Sequence, residues 1–240
     1  MEALILAGGL GTRIRSVIGE TPKPLAPISD RPFLFWQMEW LHLLGVRRFI
    51  LAAGYRSEHL IQTVGESFFG HPVIYSIENQ PLGTGGAIFH ALDHIITDQR
   101  ILVLNGDSMA DVPLQELWDS NADIALAGIE VLDMTRYGAL NFDLQTRKLL
   151  GFSEKGKNGH GHINAGVYSI RTDYLKNINR PHGFCSFEQD ILLPEINHAD
   201  MQVYPSRGFF IDVGIPADYT RAQELIPNFV KGKRNAIDLI

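Results

Sequence analysis

The chain has 240 residues and a formal net charge of −6, from 21 Lys and Arg against 27 Asp and Glu. This length fits one large α/β domain or two small ones, and the acidic balance argues against nucleic acid or an anionic membrane as a partner. Because Cys185 is the only cysteine and no apolar stretch approaches the ~20 residues of a membrane span, we expect a cytoplasmic protein without a disulfide or a cysteine-based metal site.

The first half of the chain alternates apolar runs typical of buried strands with longer stretches typical of helices. Strands are predicted at residues 2–7, 49–53, 73–77 and 100–104, and helices at residues 32–44, 57–69 and 86–96. Strands separated by helices of this length indicate right-handed βαβ units and a mainly parallel sheet. The first apolar run is too short for a secretory signal. Since ligands of such sheets bind outside the carboxyl ends of the strands, functional groups are expected in the turns that follow them.

The second half has shorter elements. Strands are predicted at residues 124–131, 138–142, 163–170 and 209–213, and helices at residues 187–198 and 217–226. We expect them to complete a mixed sheet and to cover the mouth of the site. No linker or repeat divides the chain, so we predict one α/β domain over residues 1–227, followed by a C-terminal tail at residues 228–240. The very apolar stretch 33–44 is predicted to pack in the core or between copies of a homo-oligomer.

The segment LAGGLGTR, residues 6–13, follows the first predicted strand. Its glycines, Gly8, Gly9 and Gly11, let backbone N–H groups approach a bound anion, and Arg13 adds a forked cation suited to a polyphosphate. The spacing differs from the dinucleotide-binding fingerprint, and the Gly-Lys-Ser/Thr ending of a P-loop is absent. For the glycines taken alone, a structural turn is an equal alternative.

Lys23 stands between two prolines, Pro22 and Pro24. Prolines on both sides restrict the backbone, so the ammonium group is directed at a fixed point. The alternative for this segment is a rigid surface loop without a chemical role.

Two carboxylates occupy positions suited to a metal ion. Asp107 closes the predicted strand 100–104, and Asp212 lies in a second apolar run. A carboxylate there is disfavoured unless it is paired or bound to a metal, and two hard oxygen ligands with substrate phosphates form a usual Mg²⁺ site. A turn-capping role for each Asp is the alternative. The i, i+4 pair His90 and His94 has no third ligand, so we do not assign it a metal.

Taken together, these segments resemble the sugar-1-phosphate nucleotidyltransferases, also called NDP-sugar pyrophosphorylases. LAGGLGTR followed by PKPL is a specific N-terminal mark of that family, and the likeness extends to about residue 226. The resemblance implies a Rossmann-like three-layer sandwich that binds an NTP and a sugar 1-phosphate, with Mg²⁺ as cofactor. Its products are an NDP-sugar and pyrophosphate, formed by in-line attack of the sugar phosphate on the α-phosphorus.

The resemblance also implies roles for residues of this chain. Catalytic roles fall on Arg13, Lys23 and Asp107, and the metal carboxylates are Asp107 and Asp212. The segment QPLGTGG, residues 80–86, matches the family's contact with the base. The nucleotide-binding residues so implied are Leu6, Ala7, Gly8, Gly9, Gly11, Thr12, Arg13, Lys23, Gln80, Pro81, Gly83, Thr84, Gly85, Asn105 and Asp107. The sugar-phosphate-binding residues so implied are Gly138, Glu154, Lys155 and Asn164.

Within the family, residues 22–27, 31–34 and 184–188 are similar to those of D-glycero-α-D-manno-heptose 1-phosphate guanylyltransferases. Gln80 departs from many guanylyl-transferring relatives, which have Glu there. A carboxylate accepts from both donors of guanine, whereas a carboxamide serves several bases. A uridylyl- or thymidylyltransferase acting on a hexose 1-phosphate is therefore an alternative. A regulatory relative that binds an NDP-sugar without making it, or a dinucleotide-dependent oxidoreductase, agrees less well with the presence of Arg13 and Lys23.

Overall fold

The computed structural model describes residues 1–9, 11–153, 159–181 and 183–238. Within these ranges the strands are β1 (Glu2–Leu6), β2 (Pro27–Ile28), β3 (Arg31–Pro32), β4 (Arg48–Ala53), β5 (Ser67–Phe68), β6 (His71–Ile77), β7 (Arg100–Asn105), β8 (Ser108–Ala110), β9 (Ile124–Val131), β10 (Leu140–Phe142), β11 (Leu149–Phe152), β12 (Gly161–Arg171), β13 (Met201–Ser206) and β14 (Phe210–Asp212). The helices are α1 (Arg15–Ile18), α2 (Phe33–Leu43), α3 (Ser57–Val64), α4 (Gly83–His90), α5 (Leu114–Trp118), α6 (Thr172–Asn177), α7 (Leu193–Glu195) and α8 (Pro216–Asp238). Two 3₁₀ turns lie at Lys23–Leu25 and Leu92–His94, and a π-helical segment, Phe187–Leu192, leads into α7.

The largest sheet contains eight strands in the order β13-β9-β12-β7-β1-β4-β6-β5. β1 lies in its middle and pairs in parallel with β4 on one side and β7 on the other. The chain moves outward from β1 through β4 to β6 and then returns across β1 to β7. At such a reversal the connections leave in opposite directions and open a crevice at the carboxyl ends of the strands. β12 runs antiparallel between β7 and β9, so it brings its amino-terminal residues to the same edge.

Both faces of the central strands are buried, which is why their sequences are continuous apolar runs. In β1, Leu4 packs in the core on one face, and Ala3 and Ile5 pack in the core on the other. Helices α2, α3, α5 and α8 cover the Ile5 face, whereas α4, α6 and the π-helical segment cover the Leu4 face. The predicted fold class, a Rossmann-like α/β three-layer sandwich with a mainly parallel mixed sheet, is confirmed.

Helix α2 owes its apolar sequence to burial within one chain. It lies between the sheet and α8, where Trp40 packs against Phe229 with ring centroids 6.3 Å apart. All of its side chains are buried or half-buried. The apolar sequence, which also suggested an interface between copies, is therefore accounted for by the core of a single chain.

Helix α8 continues beyond its predicted end at residue 226. It runs Pro216–Asp238 and contains Pro227, so residues 228–238, predicted as a tail, are helical. Val230 is fully buried, and the Arg234 guanidinium donates to the buried carboxylate of Glu39 on α2. These tertiary contacts hold the last turns of the helix, and the polar sequence of this segment does not reveal them.

Two other predicted helices are shorter than expected. α3 ends at Val64, where Gly65 terminates it and the chain turns into the β5–β6 hairpin. α4 ends at His90, and His94 lies in the following 3₁₀ turn, so these histidines do not share a helical face. Instead, Nδ1 of His90 lies 2.8 Å from Oγ of Ser76. Among the described residues, no three His, Cys, Asp or Glu side chains gather as a metal site.

The strands that were not predicted from the sequence are β2, β3, β5, β8, β11 and β13. β5 lies where the end of the helix 57–69 was expected, and β8 and β13 carried too little pattern to be predicted. β13 forms the edge of the sheet and pairs in parallel with β9 along its whole length. β8 has three residues and pairs with β14 in a small antiparallel ladder beside the carboxyl edge. Across the described ranges, no helix combines the length and apolar character needed to cross a bilayer.

Candidate active site

Two turns meet where the strand order reverses. After β1 the chain continues to Gly8 and Gly9, and after β7 it continues through Gly106 to Asp107. Gly106 donates its N–H to the carbonyl oxygen of Leu6 at 3.0 Å, and a Cβ at Gly106 would lie 2.5 Å from that oxygen. Glycine is therefore required for the close approach of the two turns. This approach holds Asp107 beside the glycine-rich turn.

Lys23 directs its ammonium group at both predicted metal carboxylates. It lies in the first 3₁₀ turn, and its side chain is 8% exposed. Nζ donates to Oδ2 of Asp107 at 2.6 Å and lies 3.6 Å from Oδ1 of Asp212. The structure thus gathers three of the predicted site residues into one cluster of charges.

The β8–β14 ladder places Asp212 next to Asp107. Within it, Asp212 pairs with Ser108. The buried Gln37 of α2 donates through Nε2 to the carbonyl oxygens of Asn105 at 2.8 Å and Ser108 at 3.0 Å. These bonds fix the backbone on both sides of Asp107.

Asp107 and Asp212 have the chemistry to hold a divalent cation. Both supply hard carboxylate oxygens, and both already face one cation, the ammonium group of Lys23. Mg²⁺ in proteins usually takes one or two carboxylates and completes its coordination with water and phosphate oxygens. The residues present therefore fit such an ion.

A first cavity, of 430 Å³, extends from this charge cluster along the carboxyl edge of the sheet. Its volume lies within the ~300–1,000 Å³ typical of small-molecule sites. The predicted nucleotide-binding residues that line it are Leu6, Gly8, Gly9, Gly11, Thr12, Pro81, Gly83, Thr84, Asn105 and Asp107. Of the others, Ala7 and Gly85 are buried, Arg13 and Gln80 have exposed side chains, and Lys23 supports Asp107.

The wall of this cavity also contains a carboxylate that the motifs did not single out, Glu78. It directly follows β6, and its Oε2 accepts the N–H of Leu82 at 3.1 Å. Burial raises the pKa of the Glu78 carboxyl group, while the bond from Leu82 and the charge of His90 oppose that shift. In the strand order β7-β1-β4-β6, Glu78 lies three strands away from Asp107. The two acids therefore belong to opposite ends of the cavity.

Cys185 lies close to the Glu78 end but has the properties of a structural thiol. It is buried, and burial raises the pKa of its thiol, with the charge of Asp190 acting in the same direction. A buried thiol of raised pKa is a poor nucleophile, so the chemistry of this site falls on other groups.

A second cavity, of 420 Å³, meets the first at Asn105 and Asp107, which line both. Asp212 also lies in its wall, so the charge cluster stands where the two cavities join. Of the predicted sugar-phosphate-binding residues, Gly138 and Asn164 line this cavity, and Glu154 and Lys155 lie outside the described residues.

A polar group forms one wall of the second cavity. Asn164 of β12 donates through Nδ2 to Oε1 of Glu188 at 2.6 Å and to the Tyr168 hydroxyl at 2.6 Å. Burial and the Glu188 carboxylate raise the pKa of Tyr168, so its hydroxyl stays protonated. Glu188 itself lines the cavity, where a carboxylate is suited to accept hydrogen bonds from the hydroxyl groups of a ligand.

The model of the nucleotidyl transferase family matches residues 2–228. The chain belongs to this family. The prediction made from LAGGLGTR and PKPL is thereby confirmed, together with its consequence that the protein is an enzyme that transfers nucleotidyl groups.

Two relatives and one solved structure match this nucleotidyltransferase over nearly their whole length. The D-glycero-α-D-manno-heptose 1-phosphate guanylyltransferase of Aneurinibacillus thermoaerophilus is 37% identical over 234 residues, covering 96% of this chain and 100% of the relative. The enzyme of the same name from Campylobacter jejuni is 38% identical over 219 residues, covering 91% and 97%. The crystal structure of HddC from Yersinia pseudotuberculosis complexed with GMP-PN superposes with a TM-score of 0.82 at 38% identity, covering 93% of this chain and 98% of that one.

Sequence reasoning missed three polar residues at the site of this nucleotidyltransferase. Gln37 lies within an apolar helix and resembles an ordinary polar interruption. Glu78 lies two residues before the segment that was assigned to the base, and Glu188 follows a phenylalanine in a segment predicted to be helical. A glutamate directly after a buried strand was the one available signal, because the carboxyl end of a strand is where ligands bind.

Proposed function

We propose that this nucleotidyltransferase transfers a guanylyl group from GTP to D-glycero-α-D-manno-heptose 1-phosphate, giving the GDP-heptose and pyrophosphate. The relatives named above support the substrates. The observation that carries the choice of base is the Glu78 carboxylate in the wall of the first cavity. GTP and sugar phosphates are solutes of the cytoplasm, which is where we place the reaction.

Guanine is the base whose pairing edge suits a carboxylate. It presents two adjacent donors, N1–H and N2–H₂, and a carboxylate offers two acceptor oxygens. Uracil and thymine present one N–H between two carbonyl oxygens, and both oxygens would be repelled by the negative charge. The triphosphate would be repelled as well, so it belongs at the other end, beside Gly11, Thr12 and Lys23.

The reaction follows from having both substrates meet at Asp107. A sugar phosphate oxygen attacks the α-phosphorus and forms a new P–O bond. The bond from that phosphorus to the oxygen bridging to the β-phosphorus breaks, and pyrophosphate leaves with the electron pair. No general base is needed because the attacking oxygen is already ionised. Catalysis then consists of alignment and neutralisation of charge, and in this proposal Lys23 and Arg13 provide the neutralisation.

We assign Asp107 and Asp212 as the residues that would hold Mg²⁺. When bound there, the ion would supply positive charge where the phosphates of the two substrates crowd together. In the second cavity, Asn164 and Glu188 would bind sugar hydroxyls. Glu154 and Lys155 would bind the sugar and its phosphate, which is a proposal from the family resemblance.

The test is pyrophosphate release across a matrix of GTP, ATP, UTP and dTTP against several sugar 1-phosphates. We expect GTP with the heptose 1-phosphate to give the highest kcat/KM. Glu78→Gln should reduce the preference for GTP over UTP by about 10- to 100-fold, since a carboxamide accepts one of the two donors and can itself donate to a carbonyl. Gln80→Ala is the matched control and should leave the ranking unchanged, because Gln80 is not among the residues that line the first cavity.

Absence of pyrophosphate release with every pair of substrates would show that the proposed activity is wrong. A ranking led by UTP or dTTP would overturn the choice of base while leaving the reaction class intact. If Gln80→Ala changes the ranking of the nucleoside triphosphates and Glu78→Gln does not, the base contact is made by Gln80, as the sequence predicted.

A further inference from the structure

Phe184 is an exposed aromatic side chain placed in the wall of the first cavity. It is 72% exposed, and it lines the cavity together with Glu78, Pro81 and Gly83. A single exposed phenyl ring on a surface is common and needs no explanation. The position of this ring in the wall of a cavity, however, suggests that a bound ligand packs against it.

The backbone that carries Phe184 is firmly attached to this end of the cavity. Cys185 donates its N–H to the carbonyl oxygen of Leu82 at 2.9 Å, and Gly85 donates to the carbonyl oxygen of Cys185 at 3.0 Å. A Cβ at Gly83, whose φ is +73°, would clash with that same carbonyl group. The glycines that open α4 thus let segment 184–185 lie directly against the helix.

A third bond fixes the same segment beyond Cys185. Phe187 donates its N–H to Oγ1 of Thr84 at 2.8 Å. Segment 184–187 therefore has a fixed position relative to the start of α4, and the ring of Phe184 is presented at the mouth of the cavity. A rigid support of this kind lowers the entropic cost of using an aromatic ring as a contact surface.

Phe184 lies at the Glu78 end of the cavity, because its segment is bonded to residues 82–85, which follow Glu78. Gly11, Thr12 and Asp107 form the opposite, phosphate-binding end in the function proposed above. We propose that the ring of Phe184 stacks on the base of the bound nucleotide, while Glu78 reads the edge of that base. This inference rests on the proposed function for the orientation of the nucleotide.

Phe184 and Glu78 then have separate tasks. Stacking on an aromatic ring is tolerant of base identity, since every base has a π-face, so Phe184 supplies affinity for any nucleoside triphosphate. Glu78 supplies the choice among them. A substitution of Phe184 should therefore weaken the binding of every nucleoside triphosphate by a similar factor. A substitution of Glu78 should change the order in which the enzyme prefers them.

The test is nucleotide affinity measured by calorimetry on the intact protein with Mg²⁺ present, using GTP and inorganic tripolyphosphate as probes. Phe184→Ala should weaken the binding of GTP by about 5- to 20-fold, in the lower part of the range for a base stacked on an aromatic ring. The affinity for tripolyphosphate should stay within about twofold of the wild-type value. Phe184→Leu should weaken GTP binding as much as Phe184→Ala does. Leucine restores apolar surface, but it has no aromatic ring on which a base can stack. Phe69→Ala removes a phenyl ring that is 55% exposed and should bind both probes as the wild type does.

Phe184→Trp gives a direct optical readout. The indole should keep GTP affinity close to that of the wild type, and its added fluorescence should be quenched by GTP and not by tripolyphosphate. Equal GTP affinity in Phe184→Ala and the wild type would overturn the inference, as would equal weakening of both probes or full rescue by Phe184→Leu. If these binding results are as expected while no substrate pair releases pyrophosphate, the stacking role stands and the proposed reaction fails.

Discussion

The two cavities that meet at Asp107 are built in different ways. The first is lined mainly by residues from three short stretches of sequence, within 6–12, 78–87 and 105–107, and five of its lining residues are glycines. The second is lined by residues from well-separated elements, including Tyr137, Asn164, Glu188 and Phe210, and contains one glycine. Asp107 is common to both.

In the proposed function, this difference corresponds to what each cavity would recognise. The phosphates are the same in every nucleoside triphosphate, and backbone N–H groups presented by glycines are sufficient to bind them. Sugars differ in the positions of their hydroxyl groups, so their recognition requires side-chain donors and acceptors in specific places. We therefore expect variants at the junction to abolish turnover, and variants within one cavity to affect one substrate.

The largest effect is expected at the junction itself. Asp212→Ala should lower kcat by ~10³-fold or more for every pair of substrates, because it removes one of the two carboxylates proposed to hold Mg²⁺ beside the phosphates of both substrates. The fold should persist, since Lys23 keeps its 2.6 Å bond to Asp107. Pyrophosphate release and the melting temperature are the measurements, with Mn²⁺ binding as a further readout. If the variant turns over within tenfold of the wild-type rate, Asp212 has no catalytic role.

The next effect is expected at Arg13, at the end of the glycine-rich turn. Arg13→Ala should lower kcat by ~30- to 1000-fold, the range for a lost charge contact to a developing anion, and by a similar factor for each NTP accepted. Arg13→Lys should restore part of the rate, because an ammonium group lacks the two-pronged contact. Arg15→Ala is the control, since Arg15 pairs with Glu20 at the surface. Reordering of the NTPs by Arg13→Ala would show that this residue contacts the base instead.

A smaller effect, confined to one substrate, is expected in the second cavity. Asn164→Ala removes the donor to Glu188 and Tyr168, so it should raise the KM for the sugar 1-phosphate by about 10- to 30-fold with little change in the KM for GTP. The exposed Asn177, which donates to the Asp173 carbonyl oxygen, provides the control Asn177→Ala. A rise in the KM for GTP alone would contradict the division of the site into two halves.

The smallest effect is a dependence of GTP binding on pH. The pKa of Glu78 is raised from its usual value of 4.5, so this carboxylate takes up a proton at a higher pH than an ordinary Glu as the solution is acidified. Once protonated it donates where guanine also donates, and GTP binding weakens. As the pH is lowered from 7 to 5.5, we therefore expect the KM for GTP to rise. In Glu78→Gln the KM for GTP should lack the pH dependence that comes from Glu78. The pH profile of this variant therefore shows the contribution of the GTP phosphates alone, which can be subtracted.

The sequence predicted the central part of the fold well because β1, β4 and β7 are buried on both faces. Burial of that kind requires continuous apolar runs, and helices of regular length separate them. Strands β8 and β13 were missed for a physical reason. β8 has three residues, too few to show a period, and β13 is stabilised by its pairing with β9. The extension of α8 was missed because its last turns are held by Arg234 and Val230 against α2.

By itself the sequence determined the family, the central sheet and the position of the glycine-rich turn after β1, since contiguous motifs encode backbone turns whose geometry depends on neighbouring residues. The tertiary structure decided which side chains face a ligand. It brought Asp212 beside Asp107 through the β8–β14 ladder, and it placed Glu78 instead of Gln80 in the wall of the first cavity. The first case is a contact between residues that are distant in the chain. The second depends on which of two residues, two positions apart in one loop, lies in the wall of the cavity. No local pattern specifies them, because they depend on how the strands pack side by side.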